Sequence, residues 1–220
     1  YSVLDNERKK VILLRPYQIH AIEAIRQASR DRRSGFVWHT TGSGKTLTSY
    51  TVTKNLLDIP SVDKTIFLID RKDLDQQTSS SFMSYADSDD VDVQNTDCTA
   101  DLEAKLKNRD RCAIVTTIQK LQTIIRRCTD TDAPEKYRTL AEKLREKNIA
   151  FVVDECHRAV TPETKRAIEK FFSRSLWYGF TGTPIFDVNK RVQKGDLART
   201  TEALYGKCLH AYTIKEAIAD

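Results

Sequence analysis

Five short apolar runs, at residues 35–39, 65–70, 112–116, 149–154 and 176–180, punctuate a chain whose intervening segments are longer and more polar. Runs such as Ile66-Phe67-Leu68-Ile69 and Ala150-Phe151-Val152-Val153 are apolar at four consecutive positions. A strand with one wet face alternates, so unbroken runs of this kind predict strands covered on both sides, as in a parallel sheet. Parallel neighbours need crossover connections, which makes helices of the segments between them. The pattern therefore predicts an α/β fold, a three-layer sandwich around a mostly parallel central sheet.

The helical signals agree with that layout. After Pro16, Ile19, Ile22 and Ile25 recur every three residues while Arg26, Arg30, Arg32 and Arg33 lie largely elsewhere, which predicts the first helix. Further helices are expected to begin near Gly44 and near Asp73, directly after strands. Thr161-Pro162-Glu163-Thr164 offers a capping threonine, a proline at the first helical position and an early acid, so a helix is predicted over 161–172. Thr213-Ile214-Lys215-Glu216 has the form of a capping box and opens another helix as the chain ends. Since the first residue is Tyr1, a fragment of a longer polypeptide is expected. The domain reading is a lead-in over residues 1–15, one main lobe over 16–210, and over 211–220 the start of a connection onward.

Composition narrows the functional classes. The 220 residues suffice for one large domain with its own core. Lys and Arg number 36 against 31 Asp and Glu, a net charge of +5, but the two signs are interspersed, so charge alone does not establish a nucleic-acid partner. The denser basic stretches are 26–33 and 105–111, with Arg126-Arg127 a smaller one. The longest apolar run, Ile149 to Val153, is far below the roughly 18–20 residues of a membrane span, and a membrane or secretory reading is set aside. The five cysteines are odd in number, scattered and never in a C-x-x-C pair, which suggests neither a disulfide framework nor a zinc site; a reducing, cytoplasmic setting fits best.

Chemistry concentrates at three strand ends. Thr41-Gly42-Ser43-Gly44-Lys45-Thr46 follows one predicted strand and precedes a helix, the context in which a glycine-rich loop wraps phosphate. Backbone N–H groups would hold the α- and β-phosphates of ATP, Lys45 would reach the β- and γ-phosphates, and the Thr46 hydroxyl would ligate Mg²⁺. The glycine usual six positions before that lysine is His39 here. Asp154-Glu155-Cys156-His157 closes the most apolar strand, at the sheet edge where ligands collect. Asp154 is placed to hold Mg²⁺ and Glu155 to orient and deprotonate the attacking water, although an Asp-Glu pair alone is more often a turn or a helix cap. Thr181-Gly182-Thr183-Pro184 follows the next strand, and its hydroxyls could sense the state of Glu155 and His157; taken alone it would be a simple turn.

Together the three motifs resemble the first RecA-like lobe of superfamily 2 helicases and translocases. The wording is most similar to the motor (R) subunit of type I restriction-modification enzymes. The passages that carry the resemblance are Leu14-Arg15-Pro16-Tyr17-Gln18, Val37-Trp38-His39-Thr40-Thr41-Gly42, Asp70-Arg71-Lys72-Asp73-Leu74-Asp75, Val115-Thr116-Thr117-Ile118-Gln119-Lys120-Leu121, and Gly179-Phe180-Thr181-Gly182-Thr183-Pro184. The resemblance implies a P-loop ATPase fold, ATP and Mg²⁺, and translocation on duplex DNA beside methyltransferase and specificity subunits. It implies that Gln18 reads adenine with Tyr17 or Arg15 near the base, that Arg71, Thr116 and Thr117 face the nucleic-acid backbone, and that His157 couples the nucleotide site to Thr181, Gly182 and Thr183. It also implies slow hydrolysis by this chain alone, because a second lobe supplies an arginine finger worth about 10³ to 10⁵ in rate in related enzymes. The residues leave open another nucleic-acid-dependent ATPase (an RNA helicase or a chromatin-type remodeller), a non-motor P-loop enzyme, or a nucleotide-binding docking module.

Overall fold

A computed structural model describes residues 2–69, 81, 84, 85, 93–96, 98–108, 110–186 and 200–219. Seven strands form one sheet in the order β5-β6-β4-β7-β8-β3-β9, and every neighbouring pair in it is parallel. They are β3 (Gly35–His39), β4 (Lys64–Ile69), β5 (Val93–Asn95), β6 (Cys112–Thr117), β7 (Ile149–Val153), β8 (Leu176–Thr181) and β9 (Cys208–Tyr212). The five runs expected from the sequence are the five inner strands, within a residue at each end. Four of them, β4, β6, β7 and β8, are buried at every position, which is the two-sided covering that their lack of alternation predicts. The edge strands β5 and β9 escaped the pattern because they are short and only partly apolar.

Helices cover both faces. On one lie α1 (Pro16–Arg30) and α2 (Lys45–Leu57), which bury Ala21, Ile22, Ile25 and Ala28, and Leu47, Tyr50, Val52 and Leu56, against Val37, Phe67, Val152 and Tyr178 of the sheet. On the other lie α3 (Thr99–Lys107), α4 (Ile118–Thr129), α5 (Glu135–Arg145) and, beyond the short α6 (Cys156–Ala159), α7 (Pro162–Phe171). The apolar stripe of α4, Ile118, Leu121, Ile124, Ile125 and Cys128, shows why that segment is helical: its spacing of three and four lines one face. Burying each of its aliphatic side chains contributes at most about 1.5–3 kcal/mol. The helix expected over 161–172 is α7, with the Thr161 hydroxyl accepting from the Thr164 N–H and Pro162 in the first turn. The helix expected near Asp73 lies outside the described residues.

The first fifteen residues are more than a lead-in. Strands β1 (Ser2–Asp5) and β2 (Lys10–Leu13) pair as an antiparallel hairpin, and Val3 and Leu14 join the core on the α1/α2 side. At the other end, β9 runs across the expected division at 210/211 and leads through Thr213 into α9 (Ile214–Ala219), whose Glu216 accepts the Thr213 N–H as the capping box requires. Just before β9, the short α8 (Thr201–Tyr205) leads the chain into that strand. All five cysteines are free thiols. Among the described residues no helix is long and apolar enough to cross a membrane.

The strand order explains the placement of the candidate residues. Strand β8 separates β3 from β7, and parallel strands put every carboxyl end on one edge. The loop after β3, the acids after β7 and the threonines after β8 thus meet although they are far apart in sequence.

Candidate functional site

The loop after β3 is held in a fixed turn. The Ser43 hydroxyl and N–H both donate to the Thr40 carbonyl, at 2.7 and 3.3 Å. Gly42 and Gly44 have φ of 83° and 73°, a region that costs a residue with a Cβ about 1–2 kcal/mol. Gly44 is the residue before the first turn of α2, so the unpaired N–H groups at that helix start point into the loop. His39 needs no such freedom: it is the last residue of β3 and its ring is fully buried. Its Nε2 lies 3.0 Å from His210 Nδ1 on β9, and burial, with His210 and Lys45 adding, lowers its pKa to about 3. His210 is lowered too, chiefly by burial.

From below, α1 braces this loop. Buried Gln18 accepts the Arg15 N–H at 2.9 Å and donates to the Gly44 carbonyl and the Thr48 hydroxyl, at 3.4 and 3.1 Å. The Tyr17 hydroxyl donates to the Ser43 carbonyl at 2.7 Å. Both residues border a cleft of about 400 Å³, together with Arg15, residues 40–44, Leu47, Tyr212 and Ala217. That volume falls in the range of small-molecule sites.

Across β8, the chain turns sharply after β7. The Asp154 N–H donates to the Leu68 carbonyl, and the Asp154 carboxylate accepts the Glu155 N–H at 2.9 Å. Glu155 then adopts φ of 44°, rare for a residue with a side chain, and this turn sends its carboxylate toward the loop. Glu155 Oε1 is 3.8 Å from Lys45 Nζ, and Oε2 is 3.5 Å from His157 Nδ1. His157 Nδ1 is 2.8 Å from the Thr181 hydroxyl, the direction of that bond following the tautomer, and Nε2 is 3.4 Å from the Thr183 hydroxyl. The Thr183 N–H closes the turn onto the Thr181 hydroxyl at 3.0 Å. Gly182 abuts the loop: a methyl there would lie 3.3 Å from Thr41 Oγ1 and 3.4 Å from Lys45 Nζ. Burial, then Asp154 and Glu155, push the Cys156 thiol well above its ordinary pKa, which leaves it inert packing.

The structure thus brings together Lys45, Glu155, His157, Thr181, Gly182 and Thr183, with Asp154 and Thr46 on the same edge and Tyr17 and Gln18 beside the loop. Thr116 and Thr117 end β6 farther along that edge. Both are buried, Thr116 bonded to the Thr96 hydroxyl at 2.9 Å and Thr117 capping α4. Arg71 lies outside the described residues. Tyr212 and His210 are the site neighbours that sequence reasoning missed; their one signal was the mixed Cys-Leu-His-Ala-Tyr run of an edge strand.

The chain is similar to known proteins over nearly its whole length. The family model described as SWI2/SNF2 ATPase matches residues 17–220. Over its whole length the chain is 40% identical to the type I restriction enzyme SsaAORF53P endonuclease subunit of Staphylococcus saprophyticus, of which it spans 22%. It is 36% identical, over 73% of its length, to the C-terminal part of the type I restriction enzyme MpnIIP endonuclease subunit of Mycoplasma pneumoniae, and covers 79% of that protein. Among solved structures, a nuclease-deletion mutant of the Type ISP restriction-modification enzyme LlaGI, in complex with a DNA substrate mimic, superposes with a TM-score of 0.61. The identity there is 16%, over 94% of this chain and 20% of that one, a likeness of fold.

Proposed function

Because this chain belongs to the SWI2/SNF2 ATPase family and is related to type I restriction endonuclease subunits, we propose that it is the first motor lobe of an ATP-driven translocase of duplex DNA, the R subunit of a type I restriction enzyme. The observation that carries the reading is the unbroken series Lys45, Glu155, His157, Thr181, linked at 3.8, 3.5 and 2.8 Å across three strand ends. Such a series joins a phosphate-binding lysine to an acid that can take a proton from water, and that acid to the turn that follows β8.

In this reading, residues 41–44 hold the α- and β-phosphates of ATP through backbone N–H groups, and Lys45 leaves Glu155 for the β- and γ-phosphates. Glu155 then orients the attacking water and accepts its proton. His157 registers the change and passes it to Thr181 and Thr183. The Thr46 hydroxyl and Asp154 carboxylate are hard oxygen donors suited to Mg²⁺. Bound with ATP, Mg²⁺ supplies neutralisation of phosphate charge. DNA contacts, Arg71 among them, would go to backbone phosphates, since a motor must advance whatever the sequence. Methyltransferase and specificity subunits would supply site recognition. The test is ATP hydrolysis by the intact protein with duplex DNA or RNA added: Lys45→Ala and Glu155→Gln should abolish stimulation by duplex DNA, and unchanged rates would overturn the mechanism.

A further inference from the structure

The 400 Å³ cleft lies on the α1/β9 side of the phosphate loop, and Asp154 and Glu155 are not among its walls; they flank the loop from the other side, beyond β8. A nucleotide whose terminal phosphate faces Glu155 must therefore carry its nucleoside into the cleft. There the rings of Tyr17 and Tyr212 stack with centroids 3.7 Å apart and planes 6° from parallel. Each tyrosine also grips the loop. The Tyr212 carbonyl accepts the Thr40 N–H at 3.0 Å, and the Tyr17 hydroxyl donates to the Ser43 carbonyl at 2.7 Å. His39 stands edge-on to both rings and, through His210, ties β9 to β3. Two rings on separate elements are thus locked to each other and to both ends of one turn.

We propose that Tyr212 is a positioning residue of the nucleoside subsite. Resting on the reading of this site as an ATP site, it fixes the plane of Tyr17 against which the base lies and keeps that plane in register with the phosphate loop. The side chain serves the nucleoside end, whereas the backbone bond to Thr40 serves the phosphate end and survives any substitution that keeps β9 in place. Loss of the ring should therefore weaken nucleoside binding and leave phosphate binding intact.

The experiment is calorimetric titration of the chain with ATP, and separately with inorganic tripolyphosphate, both in Mg²⁺. Tyr212→Ala should weaken ATP about fivefold to tenfold, the range of an aromatic pair, and change tripolyphosphate less than twofold. Tyr212→Phe and Tyr212→Trp, which keep a flat face, should restore ATP binding. If Tyr212→Ala does not fold, Tyr212→Leu fills the buried position without a flat face and should behave as predicted for alanine. Unchanged ATP affinity in the Ala or Leu variant overturns the proposal, as does an equal fall for ATP and tripolyphosphate. If the unaltered chain binds neither probe, the ATP-site reading itself fails, and the proposal with it.

Discussion

Glu155 faces the lysine that phosphate needs, so removing its charge should tighten ATP binding even as it stops hydrolysis. Lys45 Nζ and Glu155 Oε1 are 3.8 Å apart, with side chains 11% and 27% exposed. At an effective dielectric of about 20 the gross attraction is about 4 kcal/mol, but partial exposure, screening and a contact longer than a good hydrogen bond reduce the net value to about 0.5–1 kcal/mol. Glu155→Gln removes that competition and the repulsion between carboxylate and triphosphate, so the dissociation constant for Mg·ATP should fall about twofold to fivefold. Hydrolysis should fall by about 10² to 10⁴, the usual contribution of a general base. Because the gain is electrostatic, it should shrink between low salt and about 0.3 M salt. Calorimetry and phosphate release on the same preparations read both effects. A glutamine variant that binds ATP no more tightly at low salt, or that retains more than a tenth of the turnover, refutes the assignment.

Three further expectations follow from particular geometries. Gly44→Ala places a Cβ at φ of 73° and 3.0 Å from Gln18 Nε2, so thermal unfolding should show a loss of about 1–2 kcal/mol and titration a loss of ATP binding. Thr181→Val keeps the volume but removes the hydroxyl that joins His157 to the Thr183 N–H. Stability should drop by about 1–3 kcal/mol in denaturant titration, and nucleotide binding should persist while DNA stimulation of hydrolysis disappears. His39, with a pKa lowered to about 3 from an unfolded value near 6.5, favours protonation of the unfolded chain. Its contribution to stability is therefore complete above about pH 6.5 and is lost as pH falls toward 3. Urea unfolding of His39→Asn should accordingly lose less stability between pH 7 and pH 4 than that of the unaltered protein.

The inner strands and the crossover helices were legible because burial on both faces leaves unbroken apolar runs, and because Thr161, Pro162 and Thr213 mark helix starts by local chemistry alone. Lys45, Asp154 and Glu155 stood out by position: Asp154 and Glu155 follow directly on the end of β7, and Lys45 opens the helix after the glycine-rich loop that follows β3. What the sequence could not convey were contacts created by strand order. The approach of Glu155 to Lys45 depends on β7 and β3 flanking β8, and on a left-handed backbone at a residue that is not glycine. The hairpin of β1 and β2 and the edge strand β9 carry too few buried positions to stand out, so the Tyr17–Tyr212 stack was hidden, as was the reason His39 can replace a glycine. Gln18 could be singled out, but its bonds to Gly44 and Thr48 arise only once α1 lies under the loop.

The central proposal, that this lobe drives movement along duplex DNA at the expense of ATP, is tested most directly by displacement of a triplex-forming strand from duplex DNA by the intact protein together with the methyltransferase and specificity subunits proposed for it. The account predicts ATP-dependent displacement whose delay grows in proportion to the distance between the entry site and the triplex, and none with Lys45→Ala. ATP hydrolysis stimulated by duplex DNA without displacement at any distance would contradict it.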